Sequence, residues 1–211
     1  MSFADLQCRV FAVVVPLCAA LACSLPALAQ TLSAEKQQEV DALTKQIAAN
    51  ENDYSLYAKR GFIYLHANKR AESEIDFDKA LSLNPKWRKG YIFRAEYSED
   101  SGKFEAALAD YEAAEKLRPL DASEFLERGG IKCKLKRYAE GICDLDKGIA
   151  LKSDDSDAYV CRAMANWILH GAGALVLSDL EKGLALSPSN LRIRNLLAKA
   201  KRESALQSQH N

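Results

Sequence analysis

Four arginines recur along the chain at Arg60, Arg94, Arg128 and Arg162, each 34 residues after the last. A matching series of carboxylates, Asp76, Asp110, Asp144 and Asp179, accompanies them. Such an array can bind a charged ligand as a ladder, or each Arg can bridge to its own Asp. The spacing favours the bridge. Arg60 and Asp76 stand equally far from Asn68, Arg94 and Asp110 from Gly102, and Arg128 and Asp144 from Lys136. In an antiparallel helical hairpin turning at those centres, the two side chains meet at the same height. Arg162 and Asp179 keep the relation within one residue. An exposed pair is worth about 0–1 kcal/mol, whereas losing one partner of a buried pair costs ~3 kcal/mol or more.

Other chemistry is hard to place. His66, His170 and His210 are far apart, and none has a second His or a Cys at metal-ligand spacing. Nucleophile elbow, phosphate-binding Gly loop and His-Glu-x-x-His are all missing. Asp154-Asp155-Ser156-Asp157 lacks the Gly and terminal Glu of a calcium loop and reads as a turn with a helix N-cap. The expectation is therefore no catalytic residue, no metal and no cofactor. Beyond Ala29 the chain has Cys133, Cys143 and Cys161, an odd number that leaves at least one thiol unpaired within a monomer. Cys133 and Cys143 are offset by ~6 Å along their hairpin. Added to the ~8–10 Å between packed helices, that exceeds the Cα limit of ~7 Å for a disulfide. Cys143 and Cys161 are better levelled about Ser153, and whether they pair stays open; small core-facing thiols are the expectation for all three. With 29 Lys+Arg against 29 Asp+Glu, the chain lacks the basic surplus of a general nucleic-acid binder.

The elements that hold these residues repeat with them. An aromatic stands three positions before each Arg, at Tyr57, Tyr91, Phe125 and Tyr159, and a small residue follows it, at Gly61, Ala95, Gly129 and Ala163. The second halves are in equal register: Asp76-Phe77-Asp78-Lys79-Ala80-Leu81 returns as Asp110-Tyr111-Glu112-Ala113-Ala114-Glu115, Asp144-Leu145-Asp146-Lys147-Gly148-Ile149 and Asp179-Leu180-Glu181-Lys182-Gly183-Leu184. The last step is 35, which places one extra residue in the turn His170-Gly171-Ala172-Gly173. Pro85, Pro119 and Pro188 end three of the second helices. A period of this length marks a solenoid, in which one helical hairpin cannot bury its own apolar face and stacks on the next. Small residues recur where two helices approach closely.

This pattern resembles the tetratricopeptide repeat (TPR) family. The first copy carries Tyr57, Gly61, Tyr64, Ser73, Phe77, Ala80 and Pro85; in the others Ser98, Lys132, Leu145, Asn166 and Val176 depart from the pattern. The resemblance implies an all-α fold, a right-handed superhelical solenoid of antiparallel helix pairs. Four repeats are expected at 54–87, 88–121, 122–155 and 156–190. A flanking helix is expected within 30–53, built on Val40, Leu43 and Ile47 behind a Ser33 cap. A C-terminal capping helix and tail are expected at 191–211, with Leu191, Leu196, Leu197, Ala200 and Ala205 inward and Arg192, Arg194, Lys199, Lys201 and Arg202 outward.

Residues 1–29 differ in composition. Val10 to Leu25 is almost wholly apolar, and Pro26-Ala27-Leu28-Ala29 ends in small residues one and three positions before Gln30. That is the layout of a bacterial-type signal peptide cleaved after Ala29, and it predicts an exported, periplasmic or secreted protein with no stable membrane span after cleavage. An uncleaved anchor and a lipid on Cys23 are the alternatives left open.

The resemblance also implies that the first helix of each repeat lines a concave groove. Its candidates here are Ala58, Phe62, Leu65, Ile92, Glu96, Leu126, Val160, Met164 and Trp167, with Glu99 and Asp100 acidic beside Glu96 and with Ile168 and Lys134 beyond. An apolar stripe with separated charges suits an extended peptide or a partner helix. Family members that clamp the carboxylate of chaperone tails use Lys and Asn where this chain has Ala58 and Phe62, so that activity is not expected. The function expected is a non-enzymatic scaffold or adaptor in the cell envelope that binds a protein or peptide of unknown identity. The alternative is a structural subunit of an envelope complex held through the basic C-terminal helix; an enzyme of unknown chemistry is the remote third.

Overall fold

The computed structural model describes residues 32–152 and 154–209, without the side chains of 208 and 209. The signal-peptide expectation for 1–29, and the positions Ser153 and His210, lie outside the described residues. Among the described residues there are ten α-helices and no strand. They are α1 (Ala34–Ala49), α2 (Tyr54–His66), α3 (Arg70–Leu83), α4 (Arg88–Asp100), α5 (Phe104–Leu117), α6 (Ala122–Lys134), α7 (Tyr138–Leu151), α8 (Ser156–His170), α9 (Ala174–Leu186) and α10 (Leu191–Gln209). The chain forms two compact units, Met1–Asp76 and Phe77–Asn211, whose boundary falls inside α3.

In the first unit α1 packs on α2. The Ser33 hydroxyl accepts from the Lys36 N–H at 3.3 Å, and Val40, Leu43 and Ile47 form the buried face of α1. The Asp53 carboxylate caps α2 by accepting from the Ser55 N–H at 2.9 Å. Leu56, Tyr57, Ala58 and Gly61 are buried on α2.

In the second unit α4 pairs with α5, α6 with α7 and α8 with α9, and α10 packs on α9. One core cluster joins Ala95, Ala107, Tyr111 and Ala114 of the first pair to Phe125 and Ile131 of α6. A second joins Leu126, Leu145 and Ile149 to Ala158 and Tyr159 of α8. A third joins Val160, Ala163, Val176 and Leu180 to Ile193, Leu197 and Ala200 of α10. The inward phase of α10 therefore runs through Ile193, Leu197 and Ala200, and Leu191 and Ala205, expected to be inward, are exposed. Ile193 fills a slot one helical turn before Leu197 that Leu191, half a turn away, cannot reach.

The repeated Arg and Asp meet as two-pronged ion pairs. Arg60 Nε and Nη2 donate to Asp76 at 2.8 and 2.7 Å. The corresponding distances are 2.8 and 2.6 Å for Arg94 on Asp110, 2.7 and 2.9 Å for Arg128 on Asp144, and 2.9 and 2.7 Å for Arg162 on Asp179. All four aspartates are buried. The third guanidinium nitrogen, Nη1, reaches back to the preceding helix: Arg60 to Thr44 at 3.0 Å, Arg94 to Asp78 at 2.6 Å, Arg128 to Glu115 at 2.5 Å and Arg162 to Asp146 at 2.6 Å. Each guanidinium also lies 5.6–5.9 Å from the centroid of the aromatic ring three residues earlier. Aromatic, Arg and Asp thus work as one clamp per copy.

Close helix approach explains the repeated small residues. A Cβ on Gly129 would stand 2.9 Å from Leu145 Cγ and 3.0 Å from the Gly141 carbonyl oxygen, and one on Gly148 would stand 2.4 Å from Leu126 Cδ2. The turns repeat too. Left-handed backbone occurs at Asn68 (φ 56°), Gly102 (φ 72°), Lys136 (φ 61°) and Gly171 (φ 81°). The last step is one longer, and α8, with 15 residues against 13 in α6, takes up the added length ahead of Gly171.

Burial sets the weight of each ion pair. The Arg128 and Asp144 side chains are 5% and 3% exposed, and Lys132 also donates to Asp144 at 2.7 Å. Burial alone would raise the Asp144 pKa, but the Arg128 and Lys132 hydrogen bonds more than offset it and hold the carboxyl below its ordinary value. Arg128→Ala should lower the unfolding free energy by about 3 kcal/mol. Arg137→Ala, which breaks only the exposed pair with Glu140, should leave the urea midpoint unchanged. Equal midpoint losses for the two variants would show that burial is not what gives the clamp its weight.

Candidate interaction surface

The nine groove positions expected from the sequence do not all reach the surface. Ala58, Ile92, Leu126 and Val160 are only 6%, 7%, 9% and 5% exposed, so this stripe serves mostly as helix-packing core, although Ile92, Leu126 and Val160 each still line the wall of a cleft. In the second unit α6 and α8 pack on the preceding second helix as well as on their own, which turns the fifth slot inward. Trp167 is half-buried beneath α10: its indole N–H donates to Glu203 Oε2 at 2.8 Å, and Lys199 Nζ lies 5.4 Å from its ring centroid. Phe62 and Leu65 are half-buried in the first unit. Glu96 is exposed and Met164 half-buried.

What the second unit offers instead is a cleft of about 700 Å³ between α6 and α8. Gly130, Cys133 and Lys134 line it from α6, and Cys161, Met164 and Ile168 line it from α8. Glu99 of α4 forms part of its edge, and Ile168 is 55% exposed. Gly130 has open space where a Cβ would be, so this glycine widens the cleft, whereas its neighbour Gly129 is pressed against α7. A smaller cleft of about 260 Å³ lies beside it, between α4 and α6, and includes Arg88, Glu96, Glu124 and Glu127.

The charges on this face are unequal. Lys134 Nζ contacts Glu99 at 2.6 Å and lies 5.2 Å from the Phe104 centroid. Arg88 holds Glu124 with two hydrogen bonds at 2.8 and 2.5 Å, and Glu124 also closes a capping box with Asp121. Lys134 and Glu99, and Arg88 and Glu124, are thus paired within the molecule. Glu127 accepts from the Tyr111 hydroxyl. Burial pushes the Glu127 carboxyl up, assisted by the charges of Glu99, Asp121 and Glu124 and opposed by the Tyr111 hydrogen bond. Glu96 keeps contact with solvent, yet partial desolvation, then the charges of Glu127, Asp100, Glu124 and Glu99, push its carboxyl up to about 6. The face carries a surplus of crowded carboxylates that a cationic group would relieve.

Glu127 was not among the residues expected from the sequence, although its place one turn after Ser123 on a first helix made it legible. The thiols are also arranged differently from the open pairing. Cys143 is exposed, while Cys133 and Cys161, both half-buried, line the same cleft. All three carry free thiols. Their relation follows from α6 and α8 being neighbours in space, with Cα atoms within 8 Å. Hairpin symmetry, which relates a first helix only to its own second helix, does not reveal it. Among the described residues no group of three or more His, Cys, Asp and Glu side chains is placed to hold a metal ion.

Residues 54–86 match the family model for the tetratricopeptide repeat. The crystal structure of YrrB, a TPR protein with an unusual peptide-binding site, superimposes with a TM-score of 0.67 over 76% of this chain and 82% of its own, at 18% identity. The crystal structure of MamA protein gives 0.69 over 75% of this chain and 86% of its own, at 16% identity. The fold is thus an all-α helical-repeat solenoid. A curated relative, the Hsp70-Hsp90 organizing protein of Triticum aestivum, is 32% identical over 105 residues, half of this chain. The chain spans 18% of that relative's length.

The raised Glu96 carboxyl has a pH consequence. Its folded pKa, about 6, stands above the ordinary 4.5, so the folded state holds the proton more tightly than the unfolded state. That contribution to stability is fully present below 4.5 and is lost as pH rises through about 6. A carboxyl NMR titration should place the Glu96 midpoint well above 4.5, and Glu127→Gln should bring it down. A midpoint that does not move in Glu127→Gln would remove Glu127 as a source of the crowding.

Proposed function

We propose that this chain is a non-enzymatic protein-interaction scaffold or adaptor. It takes a peptide or partner helix on the face built by α4, α6 and α8. The observation that carries this reading is the open cleft of about 700 Å³, with Met164 and Ile168 as apolar lining and Glu99 and Lys134 at its edge. Clefts that combine apolar contact with a few placed charges suit peptides, whose main chain and alternate side chains need both. The crowded carboxylates of Glu96 and Glu127 favour a ligand segment that carries Lys or Arg. YrrB, with the same fold, is described as having a peptide-binding site. The likeness to an Hsp70-Hsp90 organizing protein does not bring a chaperone-tail ligand with it. Ala58 and Phe62 occupy slots where the family resemblance would require Lys and Asn.

The basic face of α10 is the competing surface. Arg192, Arg194 and Arg202 are exposed there, but Lys201 is paired with Glu181 at 2.8 Å and Lys199 lies over Trp167. Part of that charge is already spent within the molecule.

A peptide array probed with the whole chain tests the main reading. Peptides that alternate apolar and basic residues should be retained, and Glu96→Lys should weaken them by about tenfold, or ~1.4 kcal/mol, without lowering the melting temperature. Binding that survives Glu96→Lys but is lost when Arg194 and Arg202 are changed to Glu would move the interface to α10. We further propose export to the cell envelope, supported by the apolar Val10–Leu25 run and the Ala27-Leu28-Ala29 ending. Protein recovered from its native cells should begin at Gln30, and an intact Met1 terminus would exclude cleavage there.

A further inference from the structure

We propose that Cys133 and Cys161 form a thiol–disulfide exchange site at the mouth of the α6–α8 cleft, which reacts with small disulfides and closes into a bond between consecutive repeats. Four observations place the pair. Both thiols line the same cleft, which gives a small reagent access. Both pack on the core cluster of Leu126, Leu145 and Tyr159, so neither side chain is loose. Each thiol is the other's main electrostatic neighbour. The helices that carry them are packing neighbours, with some Cα pairs within 8 Å. Gly141 makes the room. A Cβ there would stand 2.5 Å from Cys133 Sγ, so only glycine leaves room for that sulfur beside α7.

The two thiols are unequal. The Cys133 hydrogen bond lowers the Cys161 pKa, with a further contribution from Lys134, and it outweighs the effects of burial and Asp157. Cys133, the donor, is raised by that same hydrogen bond and by burial. With the Lys134 charge beside it, Cys161 is assigned as the attacking thiolate and Cys133 as the resolving thiol. In the first step Cys161 Sγ attacks one sulfur of a disulfide RSSR, forms a mixed disulfide and expels RS⁻. The Cys133 thiol then no longer faces a thiolate, so its proton is released more readily. In the second step Cys133 Sγ attacks Cys161 Sγ, forms the intramolecular bond and expels the second RS⁻. The proton from each protein thiol ends on a released RSH. The protein loses two hydrogens and two electrons, and one RSSR becomes two RSH. This chemistry does not depend on whether the cleft takes a peptide.

The test incubates the full chain with oxidised glutathione and maps the monomer fraction by non-reducing digestion and mass spectrometry. A peptide pair joined through Cys133 and Cys161 should appear and vanish on reduction, whereas Cys143, exposed and apart from the pair, should carry only a glutathione adduct. In Cys133→Ser the joined pair should be lost and a glutathione adduct should persist on Cys161. Absence of the joined pair from the wild-type digest would overturn the proposal. So would a Cys161 adduct equally long-lived in wild type and Cys133→Ser. The wild-type digest decides even if the variant fails to fold.

Discussion

The structure depends on one interaction repeated four times: an arginine that lies beside an aromatic ring, grips a buried aspartate on the facing helix with two nitrogens, and reaches the preceding helix with the third. A planar guanidinium suits this work because its donors diverge in a fixed fork, which a lysine cannot match. A buried carboxylate is costly unless it is paired and hydrogen-bonded, and here each of Asp76, Asp110, Asp144 and Asp179 receives both oxygens' worth of donors. The pairing acts less as net stabilisation than as register. It fixes the height at which the two helices of a hairpin meet, and the third contact fixes the height of the next hairpin on the last.

The same arrangement decides what is left for binding. With the Arg side of each first helix committed to the clamp and the fifth slot buried, the proposed contact with a partner falls to the residues between. On α4, α6 and α8 these are Glu96, Glu99, Glu127, Lys134, Met164 and Ile168, which do not repeat. Stability and selectivity are thereby carried by different positions. A carboxylate such as Glu96 can stay uncomfortable without unfolding the chain because the helix beneath it is held by Arg94, Asp78 and Asp110.

Much of this was legible in the sequence. The hairpin centres at Asn68, Gly102, Lys136 and Gly171 all have left-handed backbone, and the Arg–Asp partners follow from symmetry about the first three. The third contact was half legible. Thr44, Asp78, Glu112 and Asp146 stand at the repeat step, yet Arg128 takes Glu115 and not Glu112, because both are within reach of one flexible side chain and packing chooses. The inward phase of α10 was misplaced, since several leucines offered competing stripes and only the surface beneath selects among them.

The sequence by itself determined the helix pairs, their period, their turns and the partners of each clamp. All of these are local or near-local relations, set by a hairpin's symmetry and by which residues tolerate close packing. Tertiary structure alone decided which side chains face solvent at the seams between hairpins. It buried Ala58, Ile92, Leu126 and Val160, covered Trp167 with α10, gathered Glu96 with Glu127, and brought the Cys133 and Cys161 thiols together. The last two relations join first helices of different copies. Their geometry depends on how one hairpin lies against the next, a stacking offset that no spacing within a single hairpin encodes.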